Sequence, residues 1–266
     1  MVERQHEDGR EIREVGTPLG GWGRPWPQCL ELARNIGASH WTLVGGLMVQ
    51  LHSVLDGLVT ARPTVDVDIV LHLEIPATTV SFVAGRLGTL GYMLQPSIDS
   101  SAPAHRFIRG SEQIDVMVAD RLAPSVPQRL GGNDMFALPA GTQALQRTFY
   151  CRLHDDEGET LISVPNVLGA LVLKGAAFRQ DSRDTRRHLD DAVILAACIR
   201  EPVALCNLMK GSDRSRIIGL YERLKDRTHP SWMLLEDDDR DRAGMNLRIL
   251  AENPQGVPGF RRIGRS

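Results

Sequence analysis

The stretch WTLVGGLMVQLHSVLDGLVTARPTVDVDIVLHL, Trp41 to Leu73, decides how this chain reads. An apolar run ends in Gly45-Gly46, and a second apolar run downstream carries Asp66 and Asp68. The segment HWTLVGG predicts a buried strand closing at glycine, LMVQLHSVL has apolar residues at helical spacing, and TVDVDIVLHL alternates as a strand does. Residues two apart in a strand share a face, so Asp66 and Asp68 project together while Val67, Ile69 and Leu71 face the core. Two like charges about 7 Å apart repel unless something positive lies between them. Mg²⁺, which takes carboxylate and phosphate oxygens, answers that repulsion, and Mn²⁺ serves equally.

Asp115, in QIDVMV, repeats the acidic-in-apolar pattern on another predicted strand. Three carboxylates on neighbouring strands would make a metal cradle suited to phosphoryl chemistry. A solvated acidic strand face gives the same letters, and a tight turn explains a double glycine as well as a phosphate cradle does. The two features together, glycines at a strand-to-helix junction beside paired carboxylates, favour phosphate binding at a helix N-terminus.

The whole chain sets wider bounds. It has 266 residues, 42% hydrophobic and 24% charged, which is globular composition with room for one large domain or two modest ones. A formal charge of -2 rules out a general polycation, so any nucleic-acid contact needs a local basic patch. No apolar run reaches the ~18 residues of a membrane span. The charged MVERQHEDGR start lacks the apolar core of a secretory signal, so the cytoplasm is the expected location. Cys29, Cys151, Cys198 and Cys206 form no CxxC pair and read as buried free thiols.

Along the chain, residues 1–27 read as a loose arm, 28–140 as an α/β domain and 141–266 as a mainly helical domain. HRFIRG and EQIDVMVA predict two strands joined by a tight turn at Arg109-Gly110-Ser111, and Asp120 to Pro139 a connection. TLISVPNVLGALVLKGAAFRQ opens the helical region, LEDDDRD reads as a solvated loop, and RRIGRS as a basic tail.

The residues Val44-Gly45-Gly46, His52 and Arg62-Pro63-Thr64-Val65-Asp66-Val67-Asp68 resemble the first motif of the nucleotidyltransferase superfamily, in the form seen in the AbiEii-type branch. That branch comprises toxins of abortive-infection and type IV toxin–antitoxin systems. The resemblance covers roughly Trp41 to Ala197 and places Asp115 as the third carboxylate. It further matches Lys174 to a helical lysine that contacts nucleotide phosphates, and Asp191 to an aspartate that completes the active site. Two departures stand out: nineteen residues separate Gly46 from Asp66, which predicts a longer loop at Ser53–Ala61, and Arg187-His188 replaces an Arg/Lys-Asp pair. The second leaves Asp190 and Asp191 as alternatives for the functional carboxylate.

The resemblance implies an α/β fold with a polymerase-β-like mixed sheet and a helical C-terminal domain. The implied reaction moves an NMP from an NTP such as ATP, GTP or CTP to a hydroxyl acceptor, with the 3′ end of a tRNA or other RNA favoured. A cognate antitoxin would be a partner. Asp66, Asp68 and Asp115 would hold the metal; Gly45, Gly46, Arg62, Thr64, Lys174 and Asp190 would meet the nucleotide; Lys174 and Asp191 would join the carboxylates in catalysis. The rivals are a small-molecule nucleotidyltransferase of the antibiotic-modifying kind and a silent member that only binds nucleotide or a partner.

Other candidates carry blander readings. His52 is assigned a structural role, and Arg62 and Thr64 either orient the strand start or touch phosphate. Arg106 and Arg109, which flank the Asp115 hairpin, either meet nucleic acid or triphosphate or are simply solvated, as exposed hairpin arginines usually are. Lys174, on a nearly apolar helix, either snorkels to water or points into a polar cleft. Arg179 to His188 is either an exposed salt-bridged turn or a phosphate-reading patch.

Overall fold

The computed structural model describes residues 4–18, 20–58, 62–96, 103–181 and 184–252. The basic tail lies outside these, as do residues 59–61 of the expected long loop and 182–183 of the arginine-rich turn. The chain forms two compact units, Met1–Ala170 and Leu171–Ser266, with a mixed α/β architecture in the first and helices in the second.

The first unit contains β1 (Arg4–Gln5), β2 (Glu11–Val15), α1 (Trp26–Asn35), β3 (Trp41–Val44), α2 (Gly45–Asp56), β4 (Asp66–Leu71) and α3 (Val80–Thr89). It continues with β5 (Met93–Leu94), β6 (Arg106–Arg109), β7 (Glu112–Ala119), three two-residue strands β8 (Arg129–Leu130), β9 (Asn133–Asp134) and β10 (Ala137–Leu138), and α4 (Gly141–Leu145). A hairpin, β11 (Thr148–Asp155) and β12 (Gly158–Pro165), follows. The principal sheet has the order β3-β4-β7-β6-β5, with β10 beside β7. Strands β4 and β7 run parallel, which demands a crossover, and α3 lies within it. The other pairs along that path are antiparallel. Val67, Ile69, Leu71, Ile114 and Val118 are wholly buried, so the apolar face of β4 and β7 is the core face, as the alternation predicted.

Two expectations need correction here. The N-terminal arm is not loose throughout: β2 pairs in parallel with β11, in a four-stranded sheet ordered β1-β2-β11-β12. Polar side chains hold it. Arg10 Nη1 donates to Thr148 Oγ1 at 2.8 Å and to Ser163 Oγ at 3.3 Å, and Tyr150 Oη donates to Asp8 Oδ2 at 2.9 Å. The start of the helical region is also later than read. TFYCRLHD and GETLISVP are rich in β-branched and aromatic residues and bracket a two-residue turn at Asp156-Glu157, a hairpin signal that helical periodicity further on obscured.

The second unit holds the C-terminal part of α5 (Val167–Gln180), which the unit boundary crosses, then α6 (Thr185–Ala197), α7 (Pro202–Leu208), α8 (Asp213–Leu224) and α9 (Asp237–Ala251). Asp184 caps α6, accepting from the Arg187 backbone N–H. Asn246 on α9 donates to the carbonyls of Ala196 and Ile199 at 2.9 and 2.8 Å, satisfying acceptors at and beyond the end of α6. The acidic run is not a loop: Asp237, Asp238 and Asp239 form the first turn of α9, where negative charge complements the helix dipole. Gly175 on α5 is required by close packing, since a Cβ there would lie 2.7 Å from the Arg216 carbonyl oxygen on α8.

Buried histidines give the first unit an acid-sensitive stability. His52 Nε2 lies 2.9 Å from the Pro165 carbonyl, and His72 Nε2 lies 2.6 Å from Thr42 Oγ1. Burial pushes the pKa of each down to about 4. The unfolded chain takes up these protons near pH 6.5 and the folded chain only near pH 4, so the unfolded state binds more protons between those values. Stability is therefore complete above about pH 6.5 and falls as pH drops toward about 4, by several kcal/mol for the two groups together. Urea unfolding at intervals across that window measures it. His52→Gln is expected to flatten the dependence by about half, and a wild-type profile with no slope there would contradict the account.

Candidate active site

The acidic cluster is a product of strand register. Val44 pairs with Asp68, Asp68 with Asp115, and Asp115 with Arg106, giving one row across β3, β4, β7 and β6. Asp66 pairs with Gln113 one step along the same face. One oxygen from each of Asp66, Asp68 and Asp115 falls within 4.8 Å of the others. Asp115 is buried, and Asp66 and Asp68 are half-buried. Among the described residues this is the one grouping of three or more metal-ligating side chains of this kind.

Donors surround the cluster and offset part of its charge. Thr64 Oγ1 donates to Asp66 Oδ1 at 2.8 Å. Gln113 Nε2 donates to Asp115 Oδ2 at 3.1 Å and reaches Asp66 Oδ2 at 3.4 Å. Arg106 Nε and Nη2 each meet one oxygen of Asp115 at 3.0 Å, a bidentate fork. Arg106, though partly exposed, is thus tied to Asp115, and Arg109 is tied down as well. Arg109 binds Glu31, Glu112 and the Leu90 carbonyl, and stacks on Tyr92 at 4.3 Å.

The two glycines make room for the cluster. Gly45 has φ +67°, and a Cβ there would sit 1.8 Å from Asp68 Oδ2. A Cβ on Gly46 would sit 2.6 Å from Thr64 Oγ1. Only glycine lets the start of α2 come this close to β4 and to the loop before it. Val44 precedes α2 as its N-cap and supplies no side-chain cap. Three hard oxygen donors, one of them seated in the room that Gly45 leaves, fit a divalent cation such as Mg²⁺ or Mn²⁺.

The other predicted residues fall into place as follows. Gln50 Nε2 donates to the Arg62 carbonyl at 2.8 Å, and the Arg62 guanidinium donates to the Pro63 carbonyl at 3.2 Å, so Arg62 braces the approach to β4. His52 is buried against Pro165, in keeping with a structural role. In the second unit, Lys174 neither snorkels nor stands alone: its Nζ lies 2.7 Å from Asp191 Oδ2, with the side chains 8% and 1% exposed. Asp190 accepts instead from Ser231 Oγ at 2.6 Å, so the lysine's partner is Asp191. Arg187 and His188 both engage Asp181, at 3.0 and 3.2 Å. Burial, then the charges of Lys174 and Arg187, pull the His188 pKa below its ordinary value. The triad and the Lys174–Asp191 pair belong to different compact units.

Gln113 and the Arg106 fork escaped the sequence reading. Gln113 stands two residues before Asp115, as Asp66 stands two before Asp68, and that shared spacing was the available signal.

No protein-family model matches this chain, and no curated protein does. A crystal structure of an antigenic nucleotidyltransferase-like protein from Paracoccidioides brasiliensis is similar to 59% of this chain, at 17% identity and a TM-score of 0.35. The match spans 66% of that protein, just under two thirds of its length. A likeness this distant carries no inference about activity. No described helix is long and apolar enough to cross a membrane.

Proposed function

We propose that this chain is a metal-dependent nucleotidyltransferase. The observation that carries the reading is the convergence of Asp66, Asp68 and Asp115 within 4.8 Å on one sheet face, against the glycine-cleared start of α2. Asp66 and Asp68 would hold Mg²⁺ or Mn²⁺, with Asp115 as third ligand. When bound, the ion would offset charge on the triphosphate and favour ionisation of the acceptor hydroxyl. Asp115 accepts the acceptor's proton as the new O–P bond forms at the α-phosphorus and the bond to pyrophosphate breaks. Gly45 and Gly46 let phosphate approach the first-turn amides of α2, which no N-cap side chain occupies. Thr64 fixes Asp66 by hydrogen bond, and Gln113 spans Asp66 and Asp115. Lys174, held by Asp191, is the cation we assign to charge neutralisation on the triphosphate, by the resemblance.

The acceptor we assign is an RNA 3′ end, tRNA above all, and the role that of a toxin with a cognate antitoxin. This assignment rests on the resemblance of the VGG…RPTVDVD segment to the AbiEii-type branch. Incubation of the protein with labelled NTPs, Mg²⁺ and total RNA tests it. Label in tRNA, absent without Mg²⁺, is the expected result. Label in an aminoglycoside or lincosamide with RNA untouched would replace the acceptor, and nucleotide binding without turnover would overturn the enzymatic reading.

A further inference from the structure

Asp115 is committed elsewhere before any metal arrives. Both its oxygens receive the Arg106 fork, and one also receives Gln113. A carboxylate in a bidentate pair has few lone-pair directions left for a cation, and a guanidinium beside the site repels one. Arg106 is well placed to leave. Its side chain is 40% exposed where that of Asp115 is 9%, and its anchor is one hairpin strand at the edge of the acidic row. A phosphate presents the same paired oxygens as a carboxylate to a guanidinium fork.

We propose that Arg106 is a positioning residue that occupies Asp115 in the nucleotide-free protein and passes to the triphosphate when a nucleotide enters. Release of Asp115 then completes the metal site, so nucleotide and divalent ion bind interdependently. The inference rests on the proposed function and concerns the order in which that site fills. Without nucleotide the three carboxylates are then a poor metal binder, because the cation that balances them is already a side chain.

Two binding measurements on the full chain test it without turnover. One is Mn²⁺ affinity in the absence of nucleotide, read by the paramagnetic signal of free Mn²⁺. The other is affinity for a non-hydrolysable nucleoside triphosphate analogue with divalent ions chelated. Arg106→Gln is expected to raise the first about tenfold and lower the second about tenfold, two effects of opposite sign. Arg106→Lys, which keeps the charge and loses the fork, is expected to change both in the same directions by less. A merely structural arginine would lower both affinities together, and that result, or unchanged Mn²⁺ affinity, overturns the proposal. Wild-type Mn²⁺ binding that Asp68→Asn leaves intact would instead overturn the metal site itself.

Discussion

Asp68→Asn is expected to lower nucleotidyl transfer about a thousandfold or more, while the folded protein becomes no less stable. The two halves of that expectation come from one geometry. Asp68 lies centrally in the row, in register with Asp115 and against Gly45, so its carboxylate cannot be replaced as a ligand by a neighbour without moving β4 or α2. Losing several kcal/mol of charge stabilisation in the transition state gives a rate loss of that order. The same substitution removes one of three like charges confined within 4.8 Å, which relieves repulsion in the metal-free protein. Thermal unfolding separates the cases. Wild type should gain stability on adding Mn²⁺ with a triphosphate analogue, and the variant should start at least as stable and gain little. A variant that loses activity only because it unfolds would contradict the assignment.

The second large effect concerns the Lys174–Asp191 pair. Lys174→Met leaves Asp191 as a buried carboxylate without its ammonium, and should cost about 3–5 kcal/mol of unfolding free energy. The double variant Lys174→Met/Asp191→Leu removes both charges and should recover most of that loss, because an apolar pair of similar volume suits the site. Activity divides the readings. A pair that only holds α5 to α6 predicts an active double variant once stability returns. The proposed role on the triphosphate predicts a stable protein with weakened nucleotide binding and little turnover.

Part of the candidate site's geometry was legible because strand chemistry is local. The DVD alternation put two carboxylates on one face, and burial of Val67, Ile69 and Leu71 on the other follows from period two. The Arg106–Asp115 pairing was also within reach. A two-residue turn at Gly110-Ser111 sets Arg109 opposite Glu112, and counting back three places sets Arg106 opposite Asp115. Pairing of Asp68 with Asp115 was not readable in this way. It depends on the parallel register of β4 and β7, which nothing in either strand's own sequence fixes. Likewise β2 lies well over a hundred residues from its partner β11, and a short charged EIREV segment gives no sign of a parallel neighbour so far along the chain. The choice between Asp190 and Asp191 needed helix packing, since adjacent helical residues face different ways and only the fold shows which meets Lys174.

The most direct test is the position of a bound ion. Crystals grown with Mn²⁺ and a non-hydrolysable nucleoside triphosphate should show an anomalous peak within coordinating reach, about 2.0–2.2 Å, of oxygens from Asp66, Asp68 and Asp115, bridging to the phosphates. Mn²⁺ and nucleotide bound away from those carboxylates, with the three side chains still grouped and Arg106 still on Asp115, would contradict the account.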